Sequence, residues 1–497
     1  MTQYDVIVIG SGLGGLTTAV MLSKEGFRVC VLEKHAIIGG CLQSFKRRGQ
    51  ILDTGIHYFG SMDEGQPLNQ YFKYFGILDK ISLRRLDDAC FDEIRIGDQS
   101  YAYAMKYDLF QNQLCDYFPN ERNGIEQYCH TIQKIGRLID VENLRAGKIS
   151  ELGMEYMGAS GSGFIDSITQ DERLRLVLAG TVTLYGGIRG VTSLYQHAMI
   201  NHSNITGAYR LEDGTQQLAD ALAEQIRANG GDVFTNKEVT HLFVKDSKIE
   251  SVEVNGEELF FGKQVISALH PKVTYCLMDK QPFIRKAYLS RINSLKNTYG
   301  MFSVHLILKP QSVRYQNKNT FYYTVEDAWS PILTAEGMEP ASVFVSMQPA
   351  SESPDYARVI CILTPMTLDE LSPWLDTRVG GRGNDYRAFK QTKADKIIRI
   401  MERLIPGITQ AIESVHTATP LTYRDYTGIP DGSAYGIVKN SLNPLTTLLP
   451  VKTKVENLLL TGQNINLHGV LGCTITSAVT CSELIGAEYL AKKIGNA

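Results

Sequence analysis

The stretch D-V-I-V-I-G-S-G-L-G-G, residues 5–15, decides the fold. Asp5–Ile9 is a continuous apolar run rich in β-branched residues, the pattern of a parallel strand buried on both faces. It runs into Gly10, Gly12 and Gly15, a G-x-G-x-x-G set. In such a set the first glycine permits the tight turn and the second lets a pyrophosphate approach the backbone. The third permits close helix–strand packing, and the helix that follows offers N–H donors and a positive dipole end. Leu16, Ala19, Val20 and Ser23 share one face of that helix, which should end near Gly26. Arg28–Leu32 reads as a second buried strand, completing a βαβ unit. Glu33 closes it, 23 positions after Gly10, where a carboxylate binds ribose hydroxyls and disfavours a 2′-phosphate. The unit predicts a dinucleotide site, with Gly14 and Lys34 flanking it.

Composition limits what surrounds this unit. In 497 residues, 43% are hydrophobic and 21% charged, and a formal charge of −3 lacks the basic excess of a nucleic-acid binder. Nine scattered cysteines with no C-x-x-C pair suggest neither a disulfide framework nor a metal site, and fit a reducing compartment. No apolar run approaches the ~20 residues of a membrane span, and the N-terminus shows no signal-peptide pattern. A cytoplasmic protein is expected, with peripheral membrane contact left open.

Outward from the motif, residues 66–205 carry helical spacings, as in Leu68, Phe72 and Phe75 and again in Ile125, Cys129 and Ile132. From Thr215 the α/β pattern returns: a helix through Leu218, Leu222 and Ile226, strands about an Asn255-Gly256 hairpin, then Gln264–Ala268. Residues 275–415 alternate strands (Phe302–Leu308, Ser342–Met347, Val359–Leu363) with a helix near 389–404. Strand Asn457–Thr461 leads to a terminal helix from about Gly472. This order predicts a nucleotide domain built from residues 1–65, 206–274 and 416–497. A mainly helical segment, 66–205, and a mixed-sheet substrate domain, 275–415, interrupt it.

After Glu33-Lys34 come Gly39-Gly40 and D-T-G-I-H-Y-F-G at 53–60, and near the other end N-L-L-L-T-G-Q-N at 457–464. Together these resemble the FAD-dependent oxidoreductases of the glutathione reductase and amine oxidase type. The resemblance implies an α/β fold with a Rossmann-like FAD-binding domain assembled from discontinuous segments. An α+β substrate domain and a helical lid would be inserted in it. It places Gly39, Gly40, Val239, Gly462, Gln463 and Leu471 on the cofactor, though many members carry an acidic residue at the place of Gln463. With T-P-L-T-Y-R-D-Y at 419–426 and Ala434-Tyr435-Gly436, the chain looks like retinol saturases, carotenoid cis–trans isomerases and, more distantly, phytoene desaturases. Cys41 stands where many desaturases and amine oxidases carry arginine, which favours the saturase side.

That resemblance implies hydride exchange at flavin N5 with a long hydrophobic polyene, a retinoid or carotenoid-like molecule, whose C=C bonds are saturated or desaturated. His57, Tyr58 and Tyr435 are the candidate catalytic residues, and Arg424 a candidate for orienting a polar end group. Tyr71, Phe72, Tyr74 and Phe75 are candidate lid residues. Three other readings compete: a flavin-dependent isomerase without net redox change, a prenyl carrier without flavin, and an amine oxidase. The intact glycine set and Glu33 speak against the carrier. The presence of only two tryptophans, Trp329 and Trp374, speaks weakly against the amine oxidase. A second G-x-G-x-x-G unit is absent from the sequence, so electrons are expected to come from or go to a quinone, oxygen, a partner protein or free reduced flavin.

Overall fold

The computed structural model describes residues 3–139, 151–330, 339–350 and 353–497. Two seven-stranded sheets organise them. In the first, strand Gln3–Ile9 lies between Val29–Leu32 and the second half of Glu258–Ser267, all parallel. Asp232–Phe234 extends the parallel set on one side and Leu458–Leu460 on the other. The first half of Glu258–Ser267 instead pairs antiparallel with Lys248–Val254, which pairs with Val239–Lys245. One long strand thus belongs to both the parallel layer and a three-stranded meander.

The helix after the first strand, Leu13–Lys24, is buried from Leu13 through Ser23 and not on one face alone. Periodicity suggested a single apolar stripe, but helices Gln216–Ala228 and Gly469–Ile485 cover its remaining sides. Small residues permit this packing. Ser477 Oγ donates to the Gly14 carbonyl at 2.9 Å and lies 2.8 Å from Thr17 Oγ1, while the Thr18 and Thr461 hydroxyls meet at 3.1 Å. A Cβ on Gly14 would stand 2.6 Å from the Gly462 Cα, and one on Gly15 would stand 2.0 Å from the Gly10 carbonyl oxygen. The chain's two distant glycine motifs are therefore in direct backbone contact.

The second sheet runs Ile412–Ala418, Gly300–Leu308, Ser353–Met366, Ser342–Ala350, Asn319–Tyr323, Asp92–Ile96 and Gln99–Tyr103. Helix Gly383–Leu404 covers one face, burying Ile397, Ile400 and Met401 against Val304, Leu306 and Ile362. Its last two strands come from within the segment read as mainly helical. D-E-I-R-I and Q-S-Y-A-Y alternate polar with apolar residues about a Gly97-Asp98 turn, a hairpin signature hidden between helices. The aromatic quartet expected in a lid belongs elsewhere. Tyr71, Phe72, Tyr74 and Phe75 are buried on helix Pro67–Phe75, which packs against Gly469–Ile485 and Ala487–Gly495, so they are core. No helix among the described residues is long and apolar enough to cross a membrane.

The Gly14–Gly462 contact leaves no room for a side chain. Gly14→Val should cost about 1–3 kcal/mol through overpacking, read as a lower urea midpoint of the apoprotein together with loss of bound flavin.

Candidate active site

A crevice of about 440 Å³ opens at the carboxyl ends of the parallel strands, lined there by Ile9, Leu32, Ala268 and Gly462. Ligands of open α/β sheets bind at this position. Two helix N-termini also line it. Leu13–Lys24 begins at Gly12 and Gly469–Ile485 at His468, and neither has a side-chain cap. Their first-turn N–H groups and positive dipole ends are free to meet an anion. A Cβ on Gly12 would touch nothing within 4 Å, so that face is open. Gly39 bridges Gly12, and a Cβ on Gly40 would lie 3.2 Å from the Gly12 Cα, which brings the second glycine pair over the first. This cradle fits the pyrophosphate of FAD. Gly10, Gly12, Gly14, Gly39, Gly40, Gln463 and Leu471 all line the crevice. Gly15 does not, because it packs the helix onto the strand.

Glu33 is buried at the end of its strand. Its Oε2 accepts from the Ser11 N–H at 3.0 Å and the Ser11 hydroxyl at 2.6 Å, and its Oε1 from the His35 N–H at 3.0 Å. The carboxylate is thereby fixed with its remaining lone pairs available to a ribose. Lys34, Lys237, Glu238 and Val239 complete this end, and the Lys237 N–H donates to the Glu33 carbonyl at 2.7 Å.

The other end is built differently. His57, Tyr58 and Tyr435 all line it. Burial pushes the His57 imidazole down to about 3, so it is neutral at physiological pH; its ring lies 5.6 Å from that of Phe344. Tyr435 donates its hydroxyl to the Thr183 carbonyl at 2.7 Å and lays its ring 4.7 Å from that of His468. Tyr58 stacks on Phe344 and donates its hydroxyl to Asp92 at 2.6 Å. Asp92 also accepts from Asn319 at 2.9 Å, and Arg210 donates to Asn319 Oδ1 at 3.0 Å. Burial raises the Asp92 carboxyl to about 7 despite those donors. Cys41 lines the crevice with a thiol that burial raises to about 11, a packed and unreactive state.

Arg424, expected to orient a polar end group, is absent from the lining. Its guanidinium donates to the Leu375 and Thr377 carbonyls and pairs with Asp425. Sequence reasoning overlooked Ser11, the variable position of the glycine motif, whose hydroxyl locks Glu33. It also missed Asp92, Asn319 and Arg210. Nothing local marks these, since only the sheet brings Asp92 to Tyr58.

Glu33→Gln keeps the shape and removes the charge. It should weaken FAD binding about 10- to 100-fold, the scale of one charge-assisted hydrogen bond, with an unchanged far-ultraviolet circular dichroism spectrum. Titrating apoprotein with FAD measures this.

Comparison with known proteins agrees with the geometry. The chain is 26% identical to an all-trans-retinol 13,14-reductase of Danio rerio, over 99% of this chain and 89% of that protein. It is 25% identical to a chloroplastic prolycopene isomerase of an Oncidium hybrid, over 98% and 84%. Among solved structures, putrescine oxidase aligns with a TM-score of 0.65 at 15% identity, covering 97% of this chain and 99% of that one. An oxidoreductase from Methanosarcina mazei aligns at 0.64 and 16%, covering 96% and 99%. These last two show the shared fold. The model of the family of flavin-containing amine oxidoreductases matches residues 13–319. The chain belongs to that family, and it is an FAD-dependent oxidoreductase.

Proposed function

We propose that this enzyme reduces or desaturates C=C bonds of a long apolar polyene. One observation carries the reading. Among the described residues, every charged side chain in the crevice lining (Glu33, Lys34, Lys237, Glu238) sits at the ribose end, while the opposite wall is uncharged and mostly apolar. Leu184, Met199, Ile200, Met301, Phe344 and Leu363 form much of that wall. A cationic amine would meet no carboxylate of the described residues there, and neither Trp329 nor Trp374 lines it. A hydrocarbon chain would be desolvated at little cost. The relatives, a retinol reductase and prolycopene isomerases by name, point to the same substrate class. The isomerases align over 98% of this chain, which keeps isomerisation without net redox as the second reading.

FAD, when bound, supplies hydride exchange with a substrate carbon. The protein must then manage the proton and keep water out. Tyr58 is the residue suited to the proton. Burial and Asp92 raise its phenol well above the ordinary value, so it remains protonated. While Asp92 is ionised, it holds that proton. Once Asp92 is protonated, below about pH 7, it donates to the Tyr58 oxygen and frees the phenolic proton for the crevice. His57, uncharged, and Tyr435, committed to a backbone carbonyl, shape the wall.

Anaerobically photoreduced holoprotein mixed with an all-trans polyene should regain oxidised-flavin absorbance as the product gains two hydrogens by mass. A changed retention time at unchanged mass would establish the isomerase, and no change in either would overturn the polyene reading. In the reductive direction, turnover should fall as pH rises through about 7. Asp92→Asn should remove that break, and Tyr58→Phe should lower turnover about 10²-fold or more, the scale of general-acid catalysis.

A further inference from the structure

Lys439 takes no part in the chemistry above, yet its ammonium is hydrogen-bonded to the backbone of a segment that lines the crevice. Its Nζ donates to the carbonyls of Asn464 at 2.9 Å, Ile465 at 3.2 Å and Thr447 at 3.3 Å. Asn464 itself lines the crevice, directly after Gly462 and Gln463 and before the N-terminus of helix Gly469–Ile485. An ammonium has three N–H donors, so three carbonyls suit the charged form of the side chain. Burial works against that charge and pulls the group down to about 7, with no carboxylate among the described residues contributing to hold the proton. The imidazoles nearby do not supply the charge instead. Burial takes His468 down to about 4 and lowers His270 as well. Arg291, on helix Lys286–Ser294, is spent on the carbonyls of Leu445, Thr446 and Leu448.

A partly buried cation held by the backbone of a cofactor-binding turn is costly, and hydrogen-bonding that turn needs no charge. We propose that Lys439 is a positioning residue for the cofactor's redox state. Its positive charge, behind the turn Gly462–Ile465, favours reduced FAD over oxidised FAD. Reduction places negative charge at the N1–C2=O edge of the ring. The N-terminal dipole of Gly469–Ile485 and the ammonium act on it with the same sign. This inference depends on FAD binding alone and holds whichever substrate is used.

Two variants separate charge from clamping at pH 6, where the ammonium is retained. Lys439→Arg keeps the charge, and Lys439→Gln keeps a donor without it. The readout is the ratio of dissociation constants of the apoprotein for oxidised and dithionite-reduced FAD, checked against the midpoint potential of the holoprotein. The Gln variant should lose about tenfold in preference for reduced FAD, equivalent to about 30 mV for a two-electron couple, while the Arg variant stays with the wild type. A purely structural clamp would weaken both constants equally, and an unchanged ratio in the Gln variant overturns the proposal. Should that variant not fold, Lys439→Met is measured in the same cycle and judged by the same ratio.

Discussion

Gly14 and Gly462 are separated by almost the whole chain, and their backbones touch so closely that a Cβ on Gly14 would come within 2.6 Å of the Gly462 Cα. The rest of the molecule follows from that contact. It aligns the N-terminus of Leu13–Lys24 with that of Gly469–Ile485, so two sets of uncapped N–H groups face one space. The hydroxyls of Thr17 and Ser477 bridge the two helices, and those of Thr18 and Thr461 tie the first helix to the C-terminal glycine turn, so small polar residues are satisfied in an otherwise apolar interior. Close helix packing and the anion cradle are therefore one feature.

The crevice has two chemically distinct ends because two different sheets build it. The parallel sheet delivers Glu33 and the glycine turns from strand termini, where backbone N–H groups and a fixed carboxylate are available. The second sheet contributes apolar side chains such as Met301, Phe344 and Leu363. It also carries Asp92 and Asn319 behind Tyr58, and Arg210, from the separate strand Tyr209–Leu211, donates to Asn319 there. Charge is thus concentrated where a nucleotide needs it. It is kept behind the wall where an apolar substrate would lie, and there it can act through hydrogen bonds without being exposed to the substrate.

Burial determines the protonation states in this arrangement more than pairing does. His57, His468 and Lys439 are all pulled down and Asp92 is pushed up, each chiefly because the charged form loses water. The same loss of solvent makes the surviving charges count. A single ammonium or carboxylate behind the wall acts at short range through a medium less polarisable than water.

Sequence alone determined the parts that are local in the chain. The apolar run into Gly10, Gly12 and Gly15 and the interval to Glu33 each reflect a steric or hydrogen-bonding demand met within a few dozen residues. The glycine-rich C-terminal turn does likewise, so each is legible in order. The strand hairpin at Asp92–Tyr103 was also written locally, but its alternation was short and flanked by helices. Only the tertiary structure decided that Arg424 faces backbone carbonyls away from the crevice and that the aromatics of Pro67–Phe75 are core. It alone brought Asp92 to Tyr58 and Lys439 to the Asn464 carbonyl. Those contacts join residues that share no period or motif. They exist because two sheets and a terminal helix close on one another, and nothing in the order of residues encodes the distance between side chains that meet only after that closure.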